Sequence, residues 1–266
     1  MAARQTALVT GASGGIGWEL ARAFAAGGYD LVLVARSGGK LEQLAGELRN
    51  RHGVAVRVLA KDLTAHGAPD EIFQELEGVG TAVDVLVNNA GFATFGPFAE
   101  TDLASELEEI QLNVAVLTHL TKRFLPGMLA RRRGGVLNVA STAAFQPGPL
   151  MAVYYATKAY VLSFSEALGE ELRGGGVTVT ALCPGPTATG FQARAEMQDS
   201  GLFTGPLKVM DAAAVARAGY EGFQKGKRIV IPGLINKLGV QSVRVSPRAL
   251  ATRLVGAMQA KRNHPA

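Results

Sequence analysis

The stretch TALVTGASGGIGWELARAFA, residues 6–25, joins a short apolar run to a helical segment through a turn rich in glycine. The run Ala7–Val9 is typical of a buried strand, and Gly15–Ala26 is typical of a helix. Glycines in such a turn let the backbone bend tightly and come close to a phosphate group. The helix that follows offers free N–H groups and the positive end of its dipole to that phosphate. The stretch therefore predicts a nucleotide-binding strand–turn–helix unit.

The spacing of the glycines leaves a second interpretation of this turn open. From Gly11 through Gly15 to Gly17 the pattern is G-x-x-x-G-x-G, rather than the G-x-G-x-x-G of the usual dinucleotide fingerprint. A plain structural turn is the alternative. The strand before the turn and the helix after it favour the phosphate site.

Short β-type runs and longer helical stretches alternate along the rest of the chain. This alternation predicts right-handed βαβ units, and therefore an α/β fold with a doubly wound, mostly parallel sheet. Because no long polar linker or internal repeat interrupts the pattern, we predict a single domain over residues 1–266. The predicted strands are Ala7–Val9, Leu31–Val34, Val54–Ala60, Val83–Val87, Gly135–Val139, Val177–Leu182 and Arg228–Ile231. The predicted helices are Gly15–Ala26, Lys40–Arg51, Asp70–Glu77, Leu103–Arg133, Val153–Arg173 and Asp211–Gln224.

The composition fits a globular protein in a reducing compartment. Of the 266 residues, 48% are hydrophobic and 18% are charged, and the single cysteine, Cys183, excludes an internal disulfide. It lies on a predicted strand, where a buried inert thiol is expected. The chain has no apolar run of 18 residues, and its N-terminus lacks the apolar core of a secretory signal, so we expect a cytoplasmic protein. No metal is expected, because no ligand spacing is seen among the four histidines, His52, His66, His119 and His264.

The second predicted strand ends at Val34-Ala35-Arg36, about twenty residues beyond the glycine turn. An acidic residue at this place would bond the 2′-hydroxyl of an adenosine ribose and favour NAD. Ala35 cannot form that bond, whereas Arg36 can pair with a 2′-phosphate, with Ser13 as a second phosphate contact. We therefore predict NADP as the cofactor, with NAD less favoured. An ordinary surface arginine at a strand end is the alternative.

Further motifs complete a pattern that resembles the short-chain dehydrogenases/reductases in their single-domain form. They stand in the family's order over about residues 5–232: Thr10–Gly17, Asp62-Leu63, Asn88-Asn89-Ala90-Gly91, Asn113, Ser141, Tyr154-x-x-x-Lys158 and Pro184-Gly185-x-x-x-Thr189. The resemblance implies a Rossmann-type sheet of seven strands and hydride transfer between a nicotinamide cofactor and a small-molecule carbonyl or alcohol substrate. It also implies a homodimer or homotetramer, in which the helices near Leu103–Arg133 and Val153–Arg173 pair across subunits.

Four residues in these motifs form the candidate catalytic group. Reduction of a ketone requires an acid beside the carbonyl oxygen, and Tyr154 can serve if its pKa moves towards neutral pH. Lys158 lies one helical turn further on, so we expect its ammonium to favour the phenolate and to hold the nicotinamide ribose. Ser141, at the end of the fifth strand, would hydrogen-bond the carbonyl oxygen. The resemblance assigns Asn113 to hold a water that passes protons to the lysine. Taken singly, each residue could instead be an ordinary packing or capping residue.

The resemblance also implies a set of cofactor-binding residues. Asp62 would bond the adenine amino group, Asn89 would pack beside the adenosine ribose, and residues 184–189 would seat the nicotinamide carboxamide. Many NADP-linked members carry a basic residue where this chain has Gly14, so the NADP prediction depends mainly on Arg36. The full predicted set is Gly11, Ser13, Gly15, Ile16, Gly17, Arg36, Asp62, Leu63, Asn89, Ala90, Gly91, Tyr154, Lys158, Pro184, Gly185, Thr187 and Thr189.

Apolar residues stand wherever this fold places substrate-facing loops. We predict a hydrophobic ketone or alcohol, such as a 3-oxoacyl chain or a steroid-like ring, and a substrate lid at 186–210. The alternative is that these side chains only bury the lid's own small core. A polyol or sugar dehydrogenase, or a non-catalytic nucleotide-binding scaffold, also stays open. The apolar residues are Phe92, Phe95, Phe98, Phe145, Leu150, Met151, Phe191, Met197, Leu202 and Phe203.

The positive charge of the chain is concentrated at its C-terminal end. Residues 222–266 contain nine Lys or Arg and no Asp or Glu, while the whole chain has a net charge of +5. Apolar residues recur at helical spacing within 233–266, which predicts a basic amphipathic extension. It either docks on the domain or a partner subunit, or attracts an anionic partner, such as a coenzyme A acyl carrier or a membrane surface. Nucleic acid is not expected, because the segment has no recognition motif or stacking aromatics.

Overall fold

The computed structural model describes residues 4–191 and 209–259. Its central strands are β1 Thr6–Thr10, β2 Asp30–Ala35, β3 Val56–Ala60, β4 Val85–Asn88, β5 Gly134–Val139, β6 Val177–Leu182 and β9 Ile229–Val230. They form one seven-stranded sheet in the order β3-β2-β1-β4-β5-β6-β9, with every neighbouring pair parallel. The predicted doubly wound α/β fold with a seven-stranded sheet is confirmed. Two short strands, β7 Thr187–Ala188 and β8 Met210–Asp211, pair beside it and were not predicted.

Helices follow the strands and cover both faces of the sheet. They are α1 Gly15–Ala26, α2 Gly38–His52, α3 Ala68–Gly78, α4 Leu103–Ile110, α5 Leu117–Ala130, α6 Ala152–Glu171, α7 Ala212–Gln224, α8 Leu234–Val245 and α9 Arg248–Gln259. A π-helical segment, Gln111–Val116, joins α4 to α5, and a 3₁₀ turn, Thr142–Phe145, follows β5.

The alternation of side chains along the strands builds the two halves of the core. Val9 belongs to the cluster that contains Phe24 of α1, while its neighbour Leu8 belongs to the cluster that contains Leu120 of α5. Successive residues of a strand point to opposite faces of a sheet. Since both faces of β1 are buried, the run must be apolar throughout, as the sequence pattern indicates.

The order of the strands fixes where a ligand can enter. Chain order reverses between β1 and β4, which pair directly through Ala7 with Val85 and Val9 with Val87. Loops that leave the carboxyl ends of two such strands turn to opposite sides and leave a crevice between them. The glycine turn after β1 and the Asn88–Gly91 motif after β4 therefore meet at this crevice.

The predicted helix Leu103–Arg133 differs from the structure in two ways. It is divided by the π-helical segment that holds Asn113, and it ends at Ala130. The side chain of Asn113 is bonded to the loop at Phe92, and such a local constraint leaves no mark on a pattern of period 3.6. The end follows from backbone conformation, because Arg132 and Gly134 have φ angles of +50° and +132°.

The C-terminal segment packs on the rest of the molecule through α8 and α9. Val240, Ala251, Val255 and Gln259 are buried there. Residues 260–266 lie outside the described part of the chain, as does 192–208, which contains most of the predicted lid with Met197, Leu202 and Phe203. Among the helices that are described, none combines the length and the apolar character needed to cross a bilayer.

Candidate active site

A cavity of about 790 Å³ lies at the carboxyl ends of the central strands. It extends from the glycine turn to the C-terminal helices. Of the predicted site residues, Gly17 and Asn113 are buried beside the cavity without lining it. Those that line it are Gly11, Ser13, Gly15, Ile16, Arg36, Asp62, Leu63, Asn89, Ala90, Gly91, Ser141, Tyr154, Lys158, Pro184, Gly185, Thr187 and Thr189.

Backbone conformation and Asn89 hold the glycine turn in shape. Gly11 and Gly15 have φ angles of +65° and +56°, in the left-handed region that favours glycine. The Asn89 amide donates hydrogen bonds to the backbone oxygens of Thr10, at 2.9 Å, and Gly11, at 3.2 Å. A Cβ on Gly17 would stand only 2.3 Å from the Asn89 amide nitrogen, so packing requires a glycine there. The Asn89 side chain thus supports the turn, in addition to lining the cavity.

The first turn of α1 borders the cavity, and its N–H groups have no side-chain cap. No capping side chain is bonded there, and a Cβ on Gly14 would meet nothing within 4 Å. An uncapped helix N-terminus with room beside it suits a phosphate group.

The far end of the cavity beyond β2 is basic. Arg36, Ser37 and Lys40 line it and are exposed, and Lys40 lies in the first turn of α2. Lys61 lines it too, with its ammonium 2.7 Å from a Glu71 carboxylate oxygen. Lys40 was not among the predicted site residues. The signal for it was a second basic residue four positions after Arg36.

Ser141 and Lys158 are fixed by backbone groups around the end of β5. The Ser141 hydroxyl accepts a hydrogen bond from the Ala143 N–H at 3.1 Å and donates one to the Pro184 oxygen at 3.4 Å. Lys158 donates from Nζ to the Val139 oxygen at 2.9 Å. These bonds aim both side chains at the same part of the cavity.

Tyr154 lies one helical turn before Lys158 on α6, and the Lys158 ammonium faces the Tyr154 ring. The Lys158 Nζ atom is 5.6 Å from the ring centroid of Tyr154. Tyr154 also contacts Phe191, with ring centroids 5.4 Å apart. The two side chains share a helix face, as the spacing predicts.

The expected effect of Lys158 on the Tyr154 pKa was wrong for this arrangement. Burial raises the pKa of Tyr154 above its ordinary value, although the hydrogen bond with Ser141 opposes the rise. Burial lowers the pKa of Lys158 to about 8, and the charge of Glu109 opposes that fall. The physical reason is desolvation, which outweighs the hydrogen bond with Ser141, while the Lys158 ammonium faces the ring and bonds the Val139 oxygen. Tyr154 is therefore protonated at neutral pH.

Asn113 lies near Lys158, beside Gly91. Its side chain accepts a hydrogen bond from the Phe92 N–H at 3.2 Å and donates to the Phe92 oxygen at 2.9 Å and to the Thr157 hydroxyl at 3.1 Å. A Cβ on Gly91 would stand 2.8 Å from the Asn113 side-chain oxygen and 3.6 Å from the Lys158 Nζ. Asn113 therefore ties the loop after β4 to the helix that carries Lys158.

The C-terminal helices provide much of the apolar wall of the cavity. The predicted Phe145, Met151 and Phe191 line it, but Phe92, Phe95, Phe98 and Leu150 do not. Phe92 is buried under α5, and Phe98 is exposed. The wall is completed by residues that the sequence analysis did not assign to the site: Ile235, Val240, Val243, Ala251, Leu254, Val255 and Met258.

Gln259, at the end of α9, anchors this wall to the catalytic helix. Its side-chain nitrogen donates to the Tyr155 hydroxyl at 2.6 Å, and burial raises the pKa of Tyr155 to about 12. Gln259 carries no sequence signal for this role, because 104 residues separate it from Tyr155.

Cys183 and the described histidines take no visible part in the site. Burial raises the pKa of the Cys183 thiol to about 12, so it stays protonated and is a poor nucleophile. Within residues 4–191 and 209–259, no group of three His, Cys, Asp or Glu side chains could hold a metal ion.

Comparison with known proteins identifies the pattern. The family model described as short chain dehydrogenase matches residues 5–200. A very-long-chain 3-oxoacyl-CoA reductase of Phaeosphaeria nodorum is 39% identical over 179 residues, which cover 65% of this chain and 52% of that protein. The chain spans about half to two thirds of the length of the curated relatives it matches.

Two solved structures extend the similarity to nearly the whole chain. A short-chain dehydrogenase from Sphingobium yanoikuyae in complex with NADPH is 33% identical, with a TM-score of 0.82 and 98% of each chain covered. The bulky-bulky ketone specific alcohol dehydrogenase from Comamonas testosteroni is 29% identical, with a TM-score of 0.76, covering 98% of this chain and 97% of that one.

Proposed function

The chain belongs to the short-chain dehydrogenase family, and from that premise we propose that it is an NADP(H)-dependent oxidoreductase acting on a hydrophobic ketone or the corresponding alcohol. The main support is one cavity that joins Tyr154, Ser141 and Lys158 to a glycine turn on one side and an apolar wall on the other. A non-catalytic scaffold would have no need for this combination of a protonated phenol, a hydroxyl and a buried ammonium.

The residues of the glycine turn fit a dinucleotide. A Cβ on Gly11 would stand 2.7 Å from the Asn89 amide nitrogen, while Gly14 is open on its outer side, so the backbone leaves space for a phosphate above α1. The turn and α1 would hold the pyrophosphate, and residues 184–189 and Lys158 would hold the nicotinamide half. The nicotinamide supplies the hydride when it is bound.

Two cations and the absence of an acid at Ala35 support NADP over NAD. Arg36 and Lys40 stand four residues apart in the chain, and both are exposed at the basic end of the cavity. Arginine binds phosphate through paired charge-assisted hydrogen bonds, and the N-terminus of α2 adds its positive dipole end. A 2′-phosphate on the adenosine ribose is the group that these features suit.

Tyr154 would supply the proton in ketone reduction. Burial keeps its phenol protonated at neutral pH, which is the state an acid requires. The Ser141 hydroxyl would turn from the Pro184 oxygen to the substrate oxygen and polarise the carbonyl bond. After the phenol O–H bond breaks and the alcohol O–H bond forms, Lys158 can return a proton to the phenolate.

The apolar wall supports a hydrophobic ketone, such as a 3-oxoacyl or steroid-like compound. Met151, Phe191 and Val255 line the part of the cavity beside Tyr154. The similar proteins from P. nodorum and C. testosteroni carry names that specify a long acyl chain and a bulky ketone. A polyol or sugar dehydrogenase is the second candidate, because Gln146, Asn236 and Ser242 line the same cavity.

A substrate panel tests this proposal. Acyl, steroid-like and bulky ketones, with small sugars and polyols as the contrasting set, are assayed with NADPH and NADH by nicotinamide absorbance. The proposal requires turnover of at least one apolar ketone with NADPH. A preference for sugars would favour the second candidate, and no turnover of any carbonyl or alcohol would favour a scaffold.

The basic C-terminal helices support an anionic acyl carrier as the partner of this enzyme. Lys237, Arg244 and Arg253 are exposed on α8 and α9, whose neighbouring residues line the cavity. The phosphates of coenzyme A would meet them if its acyl chain entered the cavity.

Charge variants of these helices test the carrier. Lys237→Gln with Arg244→Gln and Arg253→Gln should raise the KM for a 3-oxoacyl-coenzyme A about tenfold and leave that for a simple apolar ketone unchanged. Lys225→Gln with Lys227→Gln, also exposed but outside the cavity lining, is the control. Equal KM values would argue against the carrier, and charge-dependent binding to anionic vesicles would point to a membrane surface instead.

Exposed apolar side chains on α4 and α6 support a homodimer or homotetramer. Leu103, Leu107 and Ile110 are exposed on α4, and Tyr160 is exposed on α6. Burying such a surface between identical subunits is favourable, because it removes apolar area from water. Sedimentation analysis would measure the mass, and a monomer at micromolar concentration would contradict the assembly.

A further inference from the structure

Four buried polar side chains form a row on one face of the sheet. They are Thr121 on α5, Asn88 on β4, Asn138 on β5 and Ser165 on α6. None of the four is more than 4% exposed. Asn88 and Asn138 stand opposite each other in the parallel pairing of β4 with β5, so their side chains lie on the same face. This polar row therefore joins two helices to two strands.

Hydrogen bonds connect the polar row from end to end. Asn88 donates from its amide nitrogen to the Thr121 hydroxyl at 3.1 Å and to the Asn138 amide oxygen at 2.9 Å. The Asn138 amide nitrogen donates to the Ser165 hydroxyl at 2.9 Å. Both hydroxyls donate to the carbonyl oxygen four residues back in their own helix. Of the polar side-chain atoms in the row, only the Asn88 oxygen lacks a partner within the described residues.

Stability alone does not account for the polar row. Burying polar groups costs free energy, and an apolar pair in place of a buried hydrogen-bonded pair is often as stable. Two residues earlier on the same strands, the same face is occupied by the apolar pair Leu86 and Val136, which are fully buried. What the polar row adds is direction, because a satisfied network of hydrogen bonds specifies one arrangement of the elements that it joins.

The polar row is attached to the part of α6 that carries the candidate catalytic residues. Val139 follows Asn138 on β5, and its carbonyl oxygen accepts the hydrogen bond from the Lys158 Nζ at 2.9 Å. Lys158 and Ser165 are seven residues apart on α6, about two helical turns, so they point to the same side of the helix. Hydrogen bonds therefore hold α6 to two consecutive residues of β5, and only one of the two involves a candidate catalytic residue.

We propose that Asn138 is a positioning residue, whose bond to Ser165 fixes α6 against β5 and thereby sets where Tyr154 stands in the cavity. The inference rests on the proposed reductase function. Asn138 is not among the residues that line the cavity, so it acts on the reaction only through the helix. A displacement of about 1 Å in a catalytic group can lower a rate by about a hundredfold. Since the bond from Lys158 to β5 remains, we expect a loss of about tenfold when Asn138 is replaced.

The first experiment compares Asn138→Leu with a matched control, Thr180→Val. Thr180 is also fully buried in a strand, but its hydroxyl bonds the Lys227 oxygen at 2.7 Å, before β9 and not on α6. Both variants leave buried polar groups unpaired, so both should lower the urea concentration at half-unfolding, the urea midpoint.

The kinetics of the two folded variants should differ. Asn138→Leu should lower kcat for ketone reduction about tenfold, and should leave the KM for the ketone and the Kd for NADPH within about twofold of wild type. Thr180→Val should keep the wild-type kcat. A wild-type kcat in folded Asn138→Leu overturns the inference, as does an equal loss of kcat in Thr180→Val.

Adding Ser165→Ala to Asn138→Leu separates stability from position. The double variant leaves no unpaired hydroxyl on α6 at this contact, so its urea midpoint should rise above that of Asn138→Leu. Its kcat should stay about tenfold low, because no directional bond joins α6 to β5 at this point. If kcat recovers together with the urea midpoint, Asn138 serves stability alone and the inference is wrong.

Hydrogen exchange supplies a readout that does not require activity. The backbone amides of α6, Ala152–Glu171, are followed by mass spectrometry in the full chain. They should exchange faster in Asn138→Leu than in wild type and should not change in Thr180→Val. Unchanged exchange of α6 in Asn138→Leu also overturns the inference. If α6 responds as expected but the wild type reduces no ketone, the result counts against the proposed function alone.

Discussion

The two ends of the cavity are built in different ways. At the cofactor end, hydrogen bonds from Asn89 to the backbone of Thr10 and Gly11 join two loops, and glycines leave the backbone without side chains. At the substrate end, side chains of α8 and α9 form the wall, and α9 is attached to α6 by the bond between Gln259 and Tyr155 and by the packing of Val255 against Tyr155.

Because of this difference, we expect the two ends of the cavity to tolerate substitution to different degrees. The glycine turn has no room for a larger side chain, because a Cβ on Gly17 would stand 2.3 Å from the Asn89 amide nitrogen. A wall of aliphatic side chains can be exchanged for another of similar volume at small cost. We infer that cofactor binding is the constant part of this molecule and that substrate choice lies in the C-terminal helices. Variants at the two ends can test whether these properties separate.

The largest effect is expected from the pair of adjacent tyrosines where the two ends meet. Tyr154→Phe removes the acid and should lower kcat by ~10²–10⁴, while NADPH binding, followed by fluorescence, stays within a few-fold of wild type. Tyr155→Phe should keep most of the turnover, because its hydroxyl bonds Gln259 rather than the substrate. Equal losses in the two variants would contradict the assignment of the acid, as would a Tyr154→Phe that keeps a tenth of the activity.

A smaller effect is expected at the cofactor end alone. Arg36→Asp places a carboxylate beside the ribose position, so kcat/KM should fall about tenfold to a hundredfold with NADPH and should rise with NADH. The KM for the ketone should not change. Arg57→Asp makes the same exchange at an exposed position outside the cavity and serves as the control. If Arg36→Asp leaves the ratio of NADPH to NADH activity unaltered, Arg36 does not bind the phosphate.

The cofactor end could be predicted from the sequence because its residues stand in fixed relation to strand ends. Parallel strands bring their carboxyl ends to one edge of the sheet. Motifs that follow β1, β4, β5 and β6 therefore lie close together, whatever the length of the segments between them. Ser141, Tyr154 and Lys158 therefore meet as the spacing predicts.

The rest depends on packing between distant segments, which leaves no local pattern. Phe92 and Phe98 both follow a motif, yet one is buried in the core and the other is exposed. The state of Tyr154 could not be predicted either, since its pKa depends on how much water α8, α9 and Phe191 exclude. Glu109 has the sequence environment of a solvated helix charge, and only the fold shows that it is buried.

The smallest effect is expected at the contact that anchors the substrate wall. Gln259→Leu leaves the buried Tyr155 hydroxyl without its donor and should lower the free energy of unfolding by ~1–3 kcal/mol, measured by urea denaturation. Adding Tyr155→Phe removes both polar partners together and should recover most of that loss. Both variants should shift the KM for a bulky ketone and leave the Kd for NADPH unaltered. An equal change in NADPH affinity would mean that the two ends of the cavity are coupled and that the wall also supports the cofactor.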